Sequence, residues 1–455
     1  MKNSSKQSVK MDMLHGSLFD KMLMFAMPLA ACSILQQLFN SVGTAVVGRF
    51  ASSEALAAVG SNSSVIALMV TLFSGISLGS NVVIANYIGQ NDTKRIPRVV
   101  HTAVSLALLS GVFLLILGQF VAHPILLLMG APKDIIHLAT LYLRIYFLGM
   151  PFFMLYDFGA SILRSIGDTR RPMYALIVSG VVNVILNLLF VVVFHMGVAG
   201  AGLATVGANA TSAVQILYFL THEELPIRLS FKSLTIDRDA VSKILKIGVP
   251  AGLQGMVFSL ANVCIQSGIN SFGAGGIAGS AVELNYEYFA YYLVNAFAQT
   301  VVTFTGQNYG AGKPERIWTG VKVSALMMII YWAFTFCVLM LGARTFALLF
   351  VEASELEILK DTELFLHISV SFFPVLGLLC ILRYTIQGAG YTNLAMLSGV
   401  SEMIARVLVS LYAVPAFGYL AVCFGDPTAW IAAVLFLVPA FIFVYRRLLR
   451  MRREQ

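Results

Sequence analysis

The chain has 455 residues, of which 58% are hydrophobic and only 11% charged, with a formal net charge of +8. Charged residues are too few to cover a soluble protein of this length, and apolar runs long enough to cross a bilayer recur from end to end, which defines a polytopic membrane protein. Nucleic-acid binding is excluded as the meaning of the basic excess, because about 24 of the Lys and Arg fall on one side of the predicted spans, the pattern of positively charged cytoplasmic loops.

Taken in order, the chain opens with a polar arm, Lys2 to Lys10, and an amphipathic lead-in from Leu14 to Lys21. Breaks at polar or Pro/Gly clusters then predict an all-α protein of about twelve transmembrane helices: 22–48, 57–86, 98–121, 136–158, 172–195, 199–220, 244–270, 278–305, 317–342, 363–385, 393–415 and 428–445. The first span carries Pro28, Gln36, Gln37, Asn40, Ser41 and Thr44. That is too much polarity for a lipid-facing helix, so it should line the interior. The odd and even loops place both termini in the cytoplasm. No small-residue cleavage site follows the first apolar run, so the first span is expected to be retained. Cys32, Cys264, Cys337, Cys380 and Cys423 lie in or beside apolar spans without a C-x-x-C, and read as small buried hydrophobes. The histidines are scattered at span ends, and no metal site is expected.

The second half restarts the pattern of the first. Met27-Pro28 reappears as Val249-Pro250, Gly89-Gln90-Asn91 as Gly306-Gln307-Asn308, and Leu163-Arg164 with Gly167-Asp168-Thr169 as Leu382-Arg383 with Gly390-Tyr391-Thr392. Six spans separate the copies, so both keep one orientation and the repeat is parallel. The predicted division is an arm (1–21), a first lobe (22–220), a cytoplasmic linker (221–243), a second lobe (244–445) and a basic tail (446–455).

The eighth span sets two carboxylates within a run of tyrosines. Helical spacing puts Glu283, Tyr286, Glu287 and Tyr291 on one stripe. A carboxylate at membrane depth must be protonated, paired or turned to water. The stripe is therefore either a substrate or proton site, with the tyrosines as a wall for a cation, or an internally satisfied hydrogen-bonding network. Glu402 and Arg406 stand four residues apart on the eleventh span, in the orientation that favours a pair, static or gated. Arg144 and Asp157 share the fourth span but are too far apart to meet, and Asp157 is placed toward Arg164. Arg144 and Arg406 read as the only arginines at membrane depth.

Gly306-Gln307-Asn308-Tyr309-Gly310-Ala311-Gly312-Lys313, Gly89-Gln90-Asn91, the Leu163-Arg164 to Pro172 loop, and Asn183 with Leu186-Asn187 resemble, in order and over nearly the whole chain, the multidrug and toxic compound extrusion (MATE) transporters. The resemblance implies two six-helix lobes that rock to expose a central cavity to either side. It also implies export of organic, often cationic compounds driven by proton or sodium entry. In one branch of that family the first span carries an Asp before Thr and the fifth an Asn-x-x-x-Asp. Here the matching positions are Gly43-Thr44 and Asn183 to Asn187, so both acids are missing, while Asn183, Asn187 and Thr205 remain as neutral ligands. Another branch has an acid midway along the seventh span, where this chain reads Phe258-Ser259-Leu260.

Two other functions compete. A membrane-embedded enzyme would need a motif such as H-E-x-x-H or G-x-S-x-G, and neither occurs. A flippase for lipid-linked precursors, from the same superfamily, would want a cationic cavity for pyrophosphate, whereas this chain offers acids and tyrosines. No nucleotide-binding loop G-x-x-x-x-G-K-[ST] is present, so ATP is not the expected energy source. The expectation is a monomeric inner- or plasma-membrane antiporter in the lipid bilayer, without cofactor beyond its coupling ion, H+ or Na+, and acting on small organic molecules.

Overall fold

The computed structural model describes residues 11–128, 134–224, 226–270, 273–348 and 356–454, with the backbone but not the side chains of 53, 64, 262–290, 346–347, 357–358 and 451–454; among them there is no strand. In chain order the helices are α1 (Leu18–Phe50), α2 (Ser53–Gly89), α3 (Ile96–Leu128), α4 (Ile136–Leu148), α5 (Met150–Ser165), α6 (Arg170–Asn187), α7 (Gly197–Thr221), α8 (Arg238–Asn270), α9 (Gly273–Gly310), α10 (Pro314–Ala347), α11 (Leu356–Gly388), α12 (Thr392–Leu408), the short α13 (Val414–Phe417) and α14 (Tyr419–Cys423), and α15 (Gly425–Glu454). Among the described residues, ten stretches are each long and apolar enough to cross a membrane, and the pair α4–α5, bent by 48°, adds an eleventh. The break at Gly149 precedes Met150-Pro151, where the ring of Pro151 removes a helical donor. The remaining predicted span, 278–305, falls in α9. Several helices are longer than the predicted spans: 33 residues in α1 reach about 50 Å, against a hydrocarbon core of about 30 Å.

The backbone carries the internal repeat. Left-handed φ values occur in pairs about 220 residues apart: Asn91 (+56°) with Gly312 (+64°), Gly167 (+88°) with Gly390 (+85°), and Gly197 (+54°) with Gly418 (+66°). At the first two pairs the same bond closes the helix end, Asp92 N to Tyr87 O and Lys313 N to Asn308 O, then Asp168 N to Leu163 O and Tyr391 N to Ile386 O. These bonds correct one predicted match. Gly89-Gln90-Asn91 corresponds to Gly310-Ala311-Gly312, and Gly306-Gln307-Asn308 lies one turn earlier, inside α9. A π-helical segment also recurs, Leu188–Val193 after α6 and Val409–Ala413 after α12.

The chain forms two compact units. Among the described residues, the first comprises Met27–Gly252 with Met11 and Asp12, and the second 253–454 with Met13–Ala26. Sequence composition places the division in the polar linker; packing places it inside α8, near Pro250, and moves the segment before Pro28 to the second unit. In the first unit the opening of α8 lies against α2 with no side chain between them. A Cβ on Gly75 would stand 2.1 Å from Gly252 N, and one on Gly248 would stand 2.5 Å from Ile76 Cα. Lys243 of α8 also donates to the Tyr87 hydroxyl at 2.8 Å.

In the second unit the segment Met13–Ala26 is held from several sides. Asn308 Nδ2 and Arg316 Nε donate to Met13 O, each at 3.2 Å, while Lys313 Nζ donates to Leu14 O at 3.2 Å and Arg316 Nη2 to Gly16 O at 3.1 Å. Met13, Met22, Phe25 and Ala26 are buried beneath these bonds. The predicted interfacial lead-in is thus an integral piece of the second unit.

Candidate functional site

In the first unit, α1 presents its polar residues outward. Gln36, Asn40, Ser41 and Thr44 are exposed on a helix that crosses the membrane, a placement that suits water and not lipid. Gln37, Asn40, Ser41, Thr44, Ala45 and Gly48 of α1 with Leu56 of α2 line a cavity of about 420 Å³. Gly43 faces α6 from the same helix: a Cβ there would lie 3.6 Å from Asn187 Nδ2 and 3.9 Å from Asn183 Oδ1. Asn187 Nδ2 donates to both the carbonyl and the side-chain oxygen of Asn183 at 3.0 Å. The three positions aligned with the family's acid site are therefore together, with no carboxylate among them. Asn187 Oδ1 is buried without a partner. Thr205 is engaged elsewhere, donating to Ala201 O at 3.1 Å and bonded to Tyr142, and makes no hydrogen bond with the asparagines.

The second unit holds a buried charge network on α11, α12 and α15. The predicted pairing of Glu402 with Arg406 is not the one formed. Glu402 takes Arg383 of α11, and Arg406 takes Asp426 of α15 at 2.7 Å. The i, i+4 rule counts only partners on the same helix, but both residues face packed neighbours that offer a guanidinium and a carboxylate directly. Arg383, assigned by sequence to a span end, is 7% exposed and is the group sequence reasoning missed. The repeat held the signal, since Leu382-Arg383 matches Leu163-Arg164. Arg383 Nε also donates to Ser398 Oγ at 3.0 Å. Gln254 of α8 lies 2.7 Å from Gln387, and with its oxygen toward the guanidinium it accepts from Arg383 Nε and Nη1 at 3.1 and 3.2 Å.

The arginine in the other pair packs on an aromatic ring, the Arg406 guanidinium lying 4.8 Å from the ring centroid of Phe258. Where one family branch carries an acid, this chain has an aromatic facing a cation. Of the tyrosine–acid stripe, Tyr291 is half-buried and within electrostatic range of Arg383 and Glu402, and nearby Tyr384 donates to Asn295 Oδ1 at 3.3 Å. The side chains of Glu283, Tyr286 and Glu287 lie outside those described. Among the described residues no three His, Cys, Asp or Glu side chains converge as a metal site.

Comparison with known proteins places this architecture. The MatE family model matches twice, over residues 28–189 and 250–412, the two halves of the repeat. The chain is 26% identical over 98% of both chains to "Probable multidrug resistance protein YoeA" of Bacillus subtilis (strain 168). It is 25% identical, over 84% of this chain and 85% of the relative, to "Multidrug export protein MepA" of Staphylococcus aureus (strain NCTC 8325 / PS 47). Among solved structures, "Crystal structure of MATE in the bent conformation" superposes with a TM-score of 0.88 at 22% identity, covering 97% of this chain and 98% of that one. A MOP superfamily transporter from Pyrococcus furiosus, described as having a binding pocket of reverse polarity, superposes at 0.86 with 22% identity over 96% and 97%. Two matched half-chains, an internal repeat written in the backbone, and helices long and apolar enough to cross a membrane place the chain in the MatE family of multidrug efflux transporters, so it is a transporter and not an enzyme.

Proposed function

We propose that this transporter exports organic, cationic or amphipathic compounds from the cell by alternating access, in exchange for protons or sodium. The observation that carries the reading is the exposed, uncharged polar face of α1 lining a cavity of about 420 Å³. Ser41 and Thr44 donate to the Gln37 and Asn40 carbonyls of their own helix at 2.9 Å. Exposed side-chain amides such as those of Gln36 and Asn40 suit water or a polar guest, and neutral donors and acceptors accept many guests without a fixed charge pattern. Glu283 and Glu287 of α9, one turn apart, are the acids assigned to meet a cation. Both termini are placed in the cytoplasm by the charge of the loops.

The flippase alternative is the weaker reading, because Arg383 and Arg406 are matched by Glu402 and Asp426, and a pyrophosphate would need arginines free of such partners.

Purified protein in liposomes, loaded with a fluorescent lipophilic cation under an imposed pH or sodium gradient, tests the reading. Gradient-driven movement of the cation under one of the two ions is the expected result. Movement that ignores both gradients, or none at all, overturns it.

A further inference from the structure

The first unit lacks the family's acids at Gly43 and Asn187, yet it contains a carboxylate that the reading above leaves unused. Asp157 sits midway along α5, and its Oδ2 is buried with no hydrogen-bond partner. The hydroxyls of Ser74 and Ser77 on α2 lie beside its carboxylate. Ser77 Oγ lies 3.0 Å from Ser161 Oγ, one turn along α5, and Asn81 Nδ2 donates to Ser161 O at 3.2 Å. Arg164, seven residues on and on the same helical face, is within electrostatic range. The other titratable neighbours are Tyr156 on α5, whose hydroxyl donates to Pro172 O at 3.3 Å, and Cys32 on α1. From α7 there is no Asp, Glu, Lys, Arg or His, and Tyr218 stands near its end; on α3, His101 and His123 are bonded elsewhere, to Pro97 O and Thr140.

We infer that Asp157 is a proton-carrying carboxylate of the transporter, binding H+ from one side of the membrane and releasing it to the other within the unit that lacks the family's acids. The inference rests on the exporter reading for its consequence, though not for the proton itself. The surroundings serve both charge states. Ionised, the carboxylate has two serine hydroxyls beside it and the charge of Arg164 within range. Protonated, it is neutral, which removes the cost of burying a charged oxygen, Oδ2, that has no partner. The step is the addition of one proton to a carboxylate oxygen and its later loss to water; no other bond changes. A sodium site built from Ser74, Ser77, Ser161 and Asp157 would have to seat a second cation within range of Arg164.

Two measurements on purified protein in liposomes test this. Infrared difference spectra between acidic and alkaline buffer should contain a protonated-carboxyl stretch that is lost in Asp157→Asn. In transport, Asp157→Asn should retain gradient-free exchange of labelled tetraphenylphosphonium but lose at least tenfold of its pH-driven accumulation. Asp157→Glu, which keeps a carboxyl group, should recover part of that accumulation with a shifted pH profile. An unchanged infrared spectrum in Asp157→Asn overturns the inference even if transport falls. Wild-type accumulation in Asp157→Asn overturns it as well. If the wild type itself moves no cation under any gradient, the exporter reading fails, and the infrared band alone decides whether Asp157 carries a proton.

Discussion

Removing Glu402 should cost far more than its single contact suggests, because it leaves Arg383 buried without a counter-charge. The two side chains are 9% and 3% exposed, so water cannot replace the lost partner. Breaking such a pair costs about 3–5 kcal/mol, whereas the surface pair Arg95–Asp92, at 59% and 28% exposure, should lose about 0–1 kcal/mol. Glu402→Leu should show the full loss. Glu402→Gln keeps an acceptor for Arg383 and should lose about 1.5–3 kcal/mol, the weight of a charge-assisted bond. The double change Arg383→Met with Glu402→Leu should recover a large part, since neither charge is stranded. Reversible unfolding in mixed micelles of rising sodium dodecyl sulfate reads these energies. Run as cycles, Glu402 with Arg383 and Arg406 with Asp426 should each couple by more than about 1 kcal/mol, and Glu402 with Arg406 by about 0.3–0.5 kcal/mol, the size of a helical i, i+4 pair. A larger coupling between Glu402 and Arg406 than between Glu402 and Arg383 would refute the network.

Gly75→Ala places a Cβ 2.1 Å from the backbone nitrogen of Gly252, where no rotamer change can help, and should destabilise by about 1–3 kcal/mol or abolish expression, read by yield and thermal melting. Gly43→Ala, with its nearest neighbours at 3.6 and 3.9 Å, should leave melting and transport unchanged. Gly43→Asp should make transport more dependent on the driving cation, measured as a steeper response to the ion gradient, because a carboxylate then faces Asn187 Nδ2. Arg316→Ala removes two bonds to the segment Met13–Ala26 and should speed tryptic cleavage at Lys21 severalfold while melting falls by about 1–3 kcal/mol.

What sequence could reach was what repeats along one chain. The spans, the polar face of α1 and the pairing of Gly167 with Gly390 are local patterns, and the structure agrees with them. The partner of Glu402 was not local. Arg406 stands one turn away on its own helix, and only the packing of α11 and α15 against α12 brings in Arg383 and Asp426. The match of Gly89-Gln90-Asn91 to Gly306-Gln307-Asn308 followed letters, whereas equivalence is set by which residue takes the left-handed turn, and Asn91 shares that role with a glycine. The division near Pro250 was hidden for a related reason. Polarity marks Thr221 to Lys246 as a linker, but Gly248 and Gly252 show their importance only once α2 supplies Gly75 and Gly79 opposite them. Gly43 was legible as a missing acid, and the structure adds that Asn187 and Asn183 are the residues it faces.

The placement of Met13–Ala26 in the second unit has a consequence for how the chain is made. This segment is synthesised well before the rest of its unit: Asn308, Lys313, Arg316 and Ser324, to which it bonds, follow some 295 to 303 residues later. At roughly 5–20 residues per second, it waits about 15–60 s for those partners. The opening of α8, by contrast, meets Tyr87 and Gly75 as soon as it is synthesised, because α2 is already in place. The first unit can therefore close on the nascent chain, while Met22, Phe25 and Ala26 remain uncovered apolar surface until α9 and α10 arrive. For that interval the insertion machinery or the lipid must shelter them, and slowing translation after α8 should raise the share of chains degraded before completion.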